Sequence, residues 1–247
     1  VAYNNHNQKL AWTLENMIFY NKTFNKIHTV GLTLMQSAEY YRTEGLDARA
    51  YESKFPTALW YSLGDSNKAK LGAGSSFNEQ QRASYMARLN YNLMDRYLLT
   101  VTGRWDGASM LAAGNKWDFF PSAALAWKMN EENFMKNVNW MDNLKLRVGY
   151  GVTGINVADP YTSLSSLNYN GAFLYNGTWV KALETIRNNN ADLRWEKKHE
   201  FNVGLDWDVL GGRLGGTVDY YIRRTKDALW DYEVPVPPYM YPTMLAN

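Results

Sequence analysis

Apolar and polar residues alternate one for one over runs longer than an ordinary strand, and no other feature constrains this chain as tightly. A period of two places alternate side chains on opposite faces of an extended backbone, whereas a helix would need a period near 3.6. Tyr85, Ala87, Leu89, Tyr91 and Leu93 oppose Met86, Arg88, Asn90 and Asn92. After the tight turn Met94-Asp95-Arg96, Tyr97, Leu99, Val101, Gly103 and Trp105 oppose Thr100, Thr102 and Arg104, which completes a β-hairpin. Leu144, Leu146, Val148, Tyr150 and Val152 oppose Lys145, Arg147, Gly149, Gly151 and Thr153. A second hairpin runs from Glu200 to Arg223: Phe201, Val203, Leu205, Trp207 and Val209 oppose Glu200, Asn202, Gly204, Asp206 and Asp208, and Leu214 to Arg223 alternates likewise beyond the Gly211-Gly212 turn.

Weaker runs at Leu10 to Tyr20 and Ile27 to Tyr40 and a Pro121-containing strand over Trp117 to Met129 bring the total to about eight strands. Glu131 to Met141 has room for one short helical turn. Connections alternate in length. Tight turns lie at Phe24 to Lys26, Met94 to Arg96 and Leu210 to Arg213, with a longer one at Asn130 to Asn143. The stretches Tyr41 to Gln80, Gly107 to Lys116 and Gly154 to Asp192 read as long loops, which in compact domains are usually functional. Long alternating strands, short turns at one end, long loops at the other and aromatics near strand ends together predict a transmembrane barrel, with an apolar face toward lipid and a polar face toward a wet lumen. A soluble β-sandwich binding carbohydrate shares the alternation and is the alternative, but the charges deep in the polar faces and the end-of-strand Trp105, Trp117, Trp127 and Tyr150 speak against it.

Composition narrows the function classes. Tyr, Trp and Phe make 15% of the 247 residues and the hydrophobic share is 46%, too much for a disordered chain. No run of about 20 apolar residues exists, so membrane helices are excluded while membrane strands are not. The net charge of +2 gives no reason to expect nucleic acid. Without cysteine there are no thiol nucleophiles, disulfides or thiolate metal sites. His6, His28 and His199 are scattered without metal-ligand spacing. Asp206 and Asp208 share a face and read as lumen carboxylates bonded to basic neighbours such as Arg213 or Arg223, in preference to a cation site or acid/base pair. Gly72-Ala73-Gly74 lacks the lysine of a phosphate loop. Asn21-Lys22-Thr23 and Asn176-Gly177-Thr178 match the glycosylation pattern, relevant only to a eukaryotic secreted protein. No catalytic constellation emerges, and neither an enzyme nor a cofactor is expected.

Several stretches closely resemble the SusC/RagA family of TonB-dependent outer-membrane transporters of the Bacteroidetes. They are Arg88-Leu89-Asn90-Tyr91, Asp95-Arg96-Tyr97-Leu98-Leu99-Thr100, Arg104-Trp105-Asp106-Gly107-Ala108-Ser109, Phe120-Pro121-Ser122 with Trp127, and Glu131-Glu132-Asn133-Phe134-Met135. The blocks continue with Leu144 through Gly154, Asn190-Ala191-Asp192-Leu193-Arg194-Trp195-Glu196, Val218-Asp219-Tyr220-Tyr221, Thr225-Lys226-Asp227 and Val234-Pro235-Val236-Pro237-Pro238. They follow the family's order from Gln80 to Asn247. Ala191 stands where the family usually has Pro, and Met86-Ala87 where Gly is commoner.

The resemblance implies an antiparallel barrel of about 22 strands closed by a plug, of which residues 1–247 would be an internal segment of about eight strands. The plug, the TonB box and the carboxy-terminal strands are not visible, Val1-Ala2-Tyr3-Asn4-Asn5 has no initiator Met, basic n-region or apolar h-region, so that any signal peptide would lie outside these residues, and Leu245-Ala246-Asn247 falls where an extracellular loop is expected. An autonomous eight-stranded barrel is the competing architecture. Implied are location in the bacterial outer membrane, import of oligosaccharides or peptides, a SusD-like surface lipoprotein over the loops, and energy from TonB through the plug. Candidate ligand contacts are the loop residues Trp60, Tyr61, Asp65, Tyr161, Tyr169, Tyr175 and Trp179, with Phe173, Asn168, Asn170 and Asn176 beside them, because aromatic faces with amide and carboxylate partners suit sugar rings and peptides alike. Arg88, Arg104, Lys145, Arg147, Glu200 and Asp206 are expected to line the lumen.

Overall fold

The computed structural model describes residues 1–52, 54–65, 67–155 and 158–247, with the backbone alone at 56, 58, 69 and 170. Strands dominate the chain: β1 (Ala2–Phe24), β2 (His28–Ala50), β3 (Gly72–Leu93), β4 (Tyr97–Ala108), β5 (Trp117–Lys128), β6 (Met141–Ile155), β7 (Ser166–Tyr175), β8 (Thr178–Arg187), β9 (Glu196–Val209), β10 (Leu214–Lys226), β11 (Trp230–Glu233) and β12 (Thr243–Ala246). Three 3-10 segments, Pro56–Asp65, Lys68–Lys70 and Met129–Glu131, interrupt the pattern. No helix among the described residues is long and apolar enough to cross a membrane. Eight strands form one sheet in the order β1-β2-β3-β4-β5-β6-β9-β10, while β7-β8 and β11-β12 are separate hairpins. Among the described residues this order begins on β1 and ends on β10.

The predicted tight turns fall at 25–27, 94–96 and 210–213. Asn25, Lys26, Met94, Asp95, Leu210, Gly211 and Gly212 all adopt positive φ there, the backbone hand that matches the twist of paired strands. The first two strands extend well beyond the predicted Leu10–Tyr20 and Ile27–Tyr40, because their outer halves alternate less cleanly while their backbones still pair. Pro121 pairs with Gly103 of β4, and the β5–β6 ladder begins only at Ser122. The missing proline N–H therefore falls beyond that ladder, where a strand tolerates it.

Residues 1–14 and 38–82 form one compact unit and residues 15–37 and 83–247 another. In the first, Trp12 stacks on Tyr40 with centroids 5.8 Å apart, and Glu52 pairs with Lys70 beside the 3-10 segments. Gly72 and Gly74 stand at the start of β3, so the glycine pair is strand, not loop.

The second unit holds the fully buried core, at the long-loop end. Ala108, Met110, Leu111 and Ala112 pack with Phe120, Leu193 and Trp195, and Leu229 and Leu245 join from the edges. Asparagine side chains tie the segments by bonding backbone as a strand would. Asn188 donates to Tyr241 O and Thr243 O at 2.6 and 2.9 Å, Asn190 donates to Leu245 O at 2.9 Å, and Asn247 donates to Arg194 O and Asp227 O at 2.9 Å each. The stretches at 107–116 and 154–192, expected as loops without structure of their own, thus contribute a packed core and the β7-β8 hairpin. The expectation missed this because the core's contacts join residues some eighty positions apart, such as Trp195 Nε1 donating to Lys116 O at 3.0 Å.

Candidate functional site

Paired residues of an antiparallel ladder point to the same side, so register assigns the faces of the second unit. Thr100 and Thr102 pair with Ala124 and Ser122, Ala124 with Gly149, Lys145 with Asp206, Gly151 with Glu200, and Asp206 with Thr217. One face is therefore polar from β4 to β10 and carries Arg104, Lys145, Arg147, Glu200 and Asp206. Arg88 joins it by donating from Nε to Thr102 Oγ1 at 3.2 Å.

At the centre of this face Asp206 accepts from Arg147 Nε and Nη2 at 2.9 and 2.8 Å, the bidentate geometry that makes guanidinium–carboxylate pairs strong. Arg147 Nη2 also reaches Asp219 at 3.0 Å, Thr217 donates to Asp206 at 3.0 Å, and Lys145 lies 3.7 Å from the same carboxylate. Gly204 makes the arrangement possible. A Cβ there would stand 2.7 Å from Arg147 Nη2 and 2.3 Å from Asp219 Oδ1, so the guanidinium crosses the sheet over a residue without a side chain. Gly204→Val is expected to expel it, at an overpacking cost of about 1–3 kcal/mol, and to lower the heat-modification midpoint of the full-length barrel on a denaturing gel; an unchanged midpoint would show that the crossing is incidental.

Other charges pair in smaller groups. Glu200 pairs with Arg223 at 2.5 Å, Arg104 with Asp106 at 2.7 Å and with Ser84 at 3.1 Å, and Lys197 with Asp118 at 2.6 Å. Asp208 accepts from Asn143 at 3.0 Å. The partner of Asp206 is thus Arg147 of β6, not Arg213 or Arg223, because β9 neighbours β6 once the intervening hairpin leaves the sheet. Asp219, Thr217 and Gly204 escaped the sequence reading, yet counting back from the Gly211-Gly212 turn places Thr217 opposite Asp206 and Asp219 opposite Gly204.

The opposite face is apolar and bears two aromatic belts. At the short-turn end Tyr97 stacks on Trp127 at 6.4 Å and Phe134 meets Trp127 at 6.3 Å. Tyr97 Oη and Trp127 Nε1 donate to Glu132 at 2.6 and 3.2 Å. Those bonds, Tyr97's first, together with nearby Arg96 hold the Glu132 carboxyl below the usual carboxylate range. At the long-loop end Trp117 meets Tyr85 at 6.0 Å and Trp105 at 5.3 Å. Ten steps of β5 separate Trp127 from Trp117, about 33 Å along the strand and about 25 Å across a layer at a tilt near 40°. Between the belts Leu125 is 49% and Val101 42% exposed. In a sandwich such residues would be covered by a second sheet.

The predicted ligand-contact residues fall into two groups, one in each unit. Trp60 stacks on Tyr61 at 4.1 Å in the Pro56–Asp65 segment, where Ser62 donates to Asp65 at 2.5 Å. In the other unit Tyr169, Tyr175 and Trp179 lie on β7-β8, with Trp179 70% exposed and Tyr175 63%. Phe173 and Tyr175 share one side of this hairpin with rings 6.5 Å apart. Tyr161 lies in the turn before it, where its carbonyl accepts from Arg187 at 2.9 Å. The side chain of Asn170 lies outside the described residues. Asn176-Gly177, which the sequence suggested as a glycosylation pattern, is the two-residue turn of the hairpin with both φ positive; an Asn-Gly pair between apolar runs was the signal that could have revealed β7 and β8. His28 bonds Tyr91 at 2.7 Å and His199 bonds Tyr150 at 2.8 Å, so these two are satisfied within the sheet.

The profile of the TonB dependent receptor-like β-barrel family matches residues 2–240. The chain belongs to that family. TonB-dependent receptor SusC of Bacteroides thetaiotaomicron is 44% identical over 156 residues, 62% of this chain and 16% of SusC. TonB-dependent receptor P26 of Formosa agariphila is 33% identical over 225 residues, 91% of this chain and 23% of P26. The chain therefore spans about a fifth of the curated relatives it matches. Among solved structures the RagAB peptide importer in its closed-closed state superposes with a TM-score of 0.84 over 99% of this chain and 26% of that one, at 22% identity, a likeness of fold. The chain is thus part of an outer-membrane barrel of the TonB-dependent receptor family, with SusC/RagA-type relatives, a setting in which a belted apolar face suits lipid. The soluble-sandwich alternative falls with this assignment.

Proposed function

We propose that residues 1–247 are one contiguous part of the barrel domain of a SusC-like importer, with plug, TonB box and further strands supplied elsewhere in the same polypeptide. The observation that carries this is the two-faced wall: an ion-paired polar face backs an apolar face whose aromatic belts are about 25 Å apart across the layer. The polar face, with Arg88, Arg104, Lys145, Arg147, Glu200 and Asp206, lines the lumen. The short turns lie in the periplasm and the long loops outside the cell. Substrate is an oligosaccharide or a peptide met by the loop aromatics Trp60, Tyr61, Tyr161, Tyr169, Tyr175 and Trp179 with Asp65. The chain makes and breaks no covalent bond. A SusD-like lipoprotein seats on the loop end, where the exposed β7-β8 hairpin offers apolar surface on both sides, and TonB acts through the plug.

The reading is tested in cells by deleting the gene and feeding labelled maltooligosaccharides or tryptic peptides. Uptake of one class should be lost and restored by the wild-type gene but not after collapse of the proton gradient. Equal uptake of both classes with and without the gene would overturn it.

A further inference from the structure

On the lipid-facing side of the second unit a groove crosses β1 to β5, floored by Ala87 and Gly103 between the bulkier Ile18, Leu34, Trp105 and Phe119. The Phe119 ring lies over Gly103, where a Cβ would approach it to 3.0 Å, so the floor recedes by one side chain on the neighbouring strand. At its rim Asn16 donates from Nδ2 to Gln36 Oε1 at 2.8 Å. Two amides on a lipid-facing surface are costly unless satisfied, and this single bond leaves the Gln36 amide N–H groups and the Asn16 carbonyl with no further partner among the described residues. The amides sit at the belt end of the groove, since Tyr85 and Trp105 of the long-loop belt line it too, while Ile18 and Leu34 lie two residues closer to the short turns. Polarity therefore runs from outside to inside as it does along a membrane lipid.

We propose that this groove seats one hydroxylated acyl chain of lipid A, with Gln36 donating to its linkage carbonyl and Asn16 Oδ1 accepting from its hydroxyl or amide N–H. A phospholipid ester offers acceptors alone and would leave the Asn16 carbonyl unmet. The choice of an outer-leaflet lipid rests on the proposed orientation with long loops outward.

The test uses the full-length protein purified in mild detergent and examined by native mass spectrometry. Wild type should retain one lipid A adduct. Ala87→Phe, which fills the floor, and the double variant Asn16→Leu/Gln36→Leu, which makes the rim apolar, should each lower its occupancy at least tenfold at unchanged heat-modifiability. Undiminished adduct in both variants, a phospholipid in its place, or no adduct on wild type would overturn the proposal. A Thr178→Cys variant labelled on intact cells by an impermeant maleimide reports orientation separately. Absence of labelling there would defeat the orientation, and with it the outer-leaflet assignment, whereas adduct behaviour alone decides the groove.

Discussion

Val148→Arg in the full-length protein is expected to reduce the heat-modifiable barrel recovered from outer-membrane fractions far more than Arg147→Leu, although the two residues are adjacent. Val148 pairs with Leu125 and Val203 on the apolar face, two residues inside the short-turn belt, where an arginine costs more than at the interface and less than the about 2–4 kcal/mol of the membrane midplane. Leu146 pairs with Trp127 of the short-turn belt, so Leu146→Arg should fall between the two, because the cost declines to about 0–1 kcal/mol near the interface. Arg147→Leu removes a partly exposed pair from the polar side and leaves Asp206 with Lys145 and Thr217. Equal recovery of all three variants would sink the assignment of faces.

Leu193→Ala should act on the loops and spare the wall. Leu193 is 0% exposed at the centre of the core built from 107–116, 188–195 and 227–247. Truncating a leucine in such a site costs about 2–5 kcal/mol. The core meets the wall at Ala108, Phe120 and Val152, toward the long-loop ends of β4, β5 and β6, so hydrogen exchange should accelerate in these loop segments while the short-turn halves of β4 to β6 stay protected. Strands that open as readily as loops would mean that core and wall form one cooperative unit. Loops that stay protected would mean the cavity had been refilled.

Much of the wall was legible because strand alternation is a local property: each residue's face follows from its neighbour's. Tight turns were legible for the same reason. The Glu200–Arg223 pair could be counted from one hairpin, whereas Arg147–Asp206 could not, since β6 and β9 become neighbours only when β7 and β8 leave the sheet. The aromatic candidates were legible as a composition, but not as a two-residue turn carrying an exposed hairpin in one unit and a stacked Trp60–Tyr61 pair in the other.

By itself, then, the sequence determined that this chain forms long two-faced strands, and its motif blocks determined the family. Tertiary structure alone decided that Gly204 makes room for Arg147 and that Leu193 and Trp195 bury a core within segments that read as polar loops. The division has one physical cause. Backbone pleat fixes which way a side chain points within its own strand, while what it meets there depends on which distant strand or loop is brought alongside.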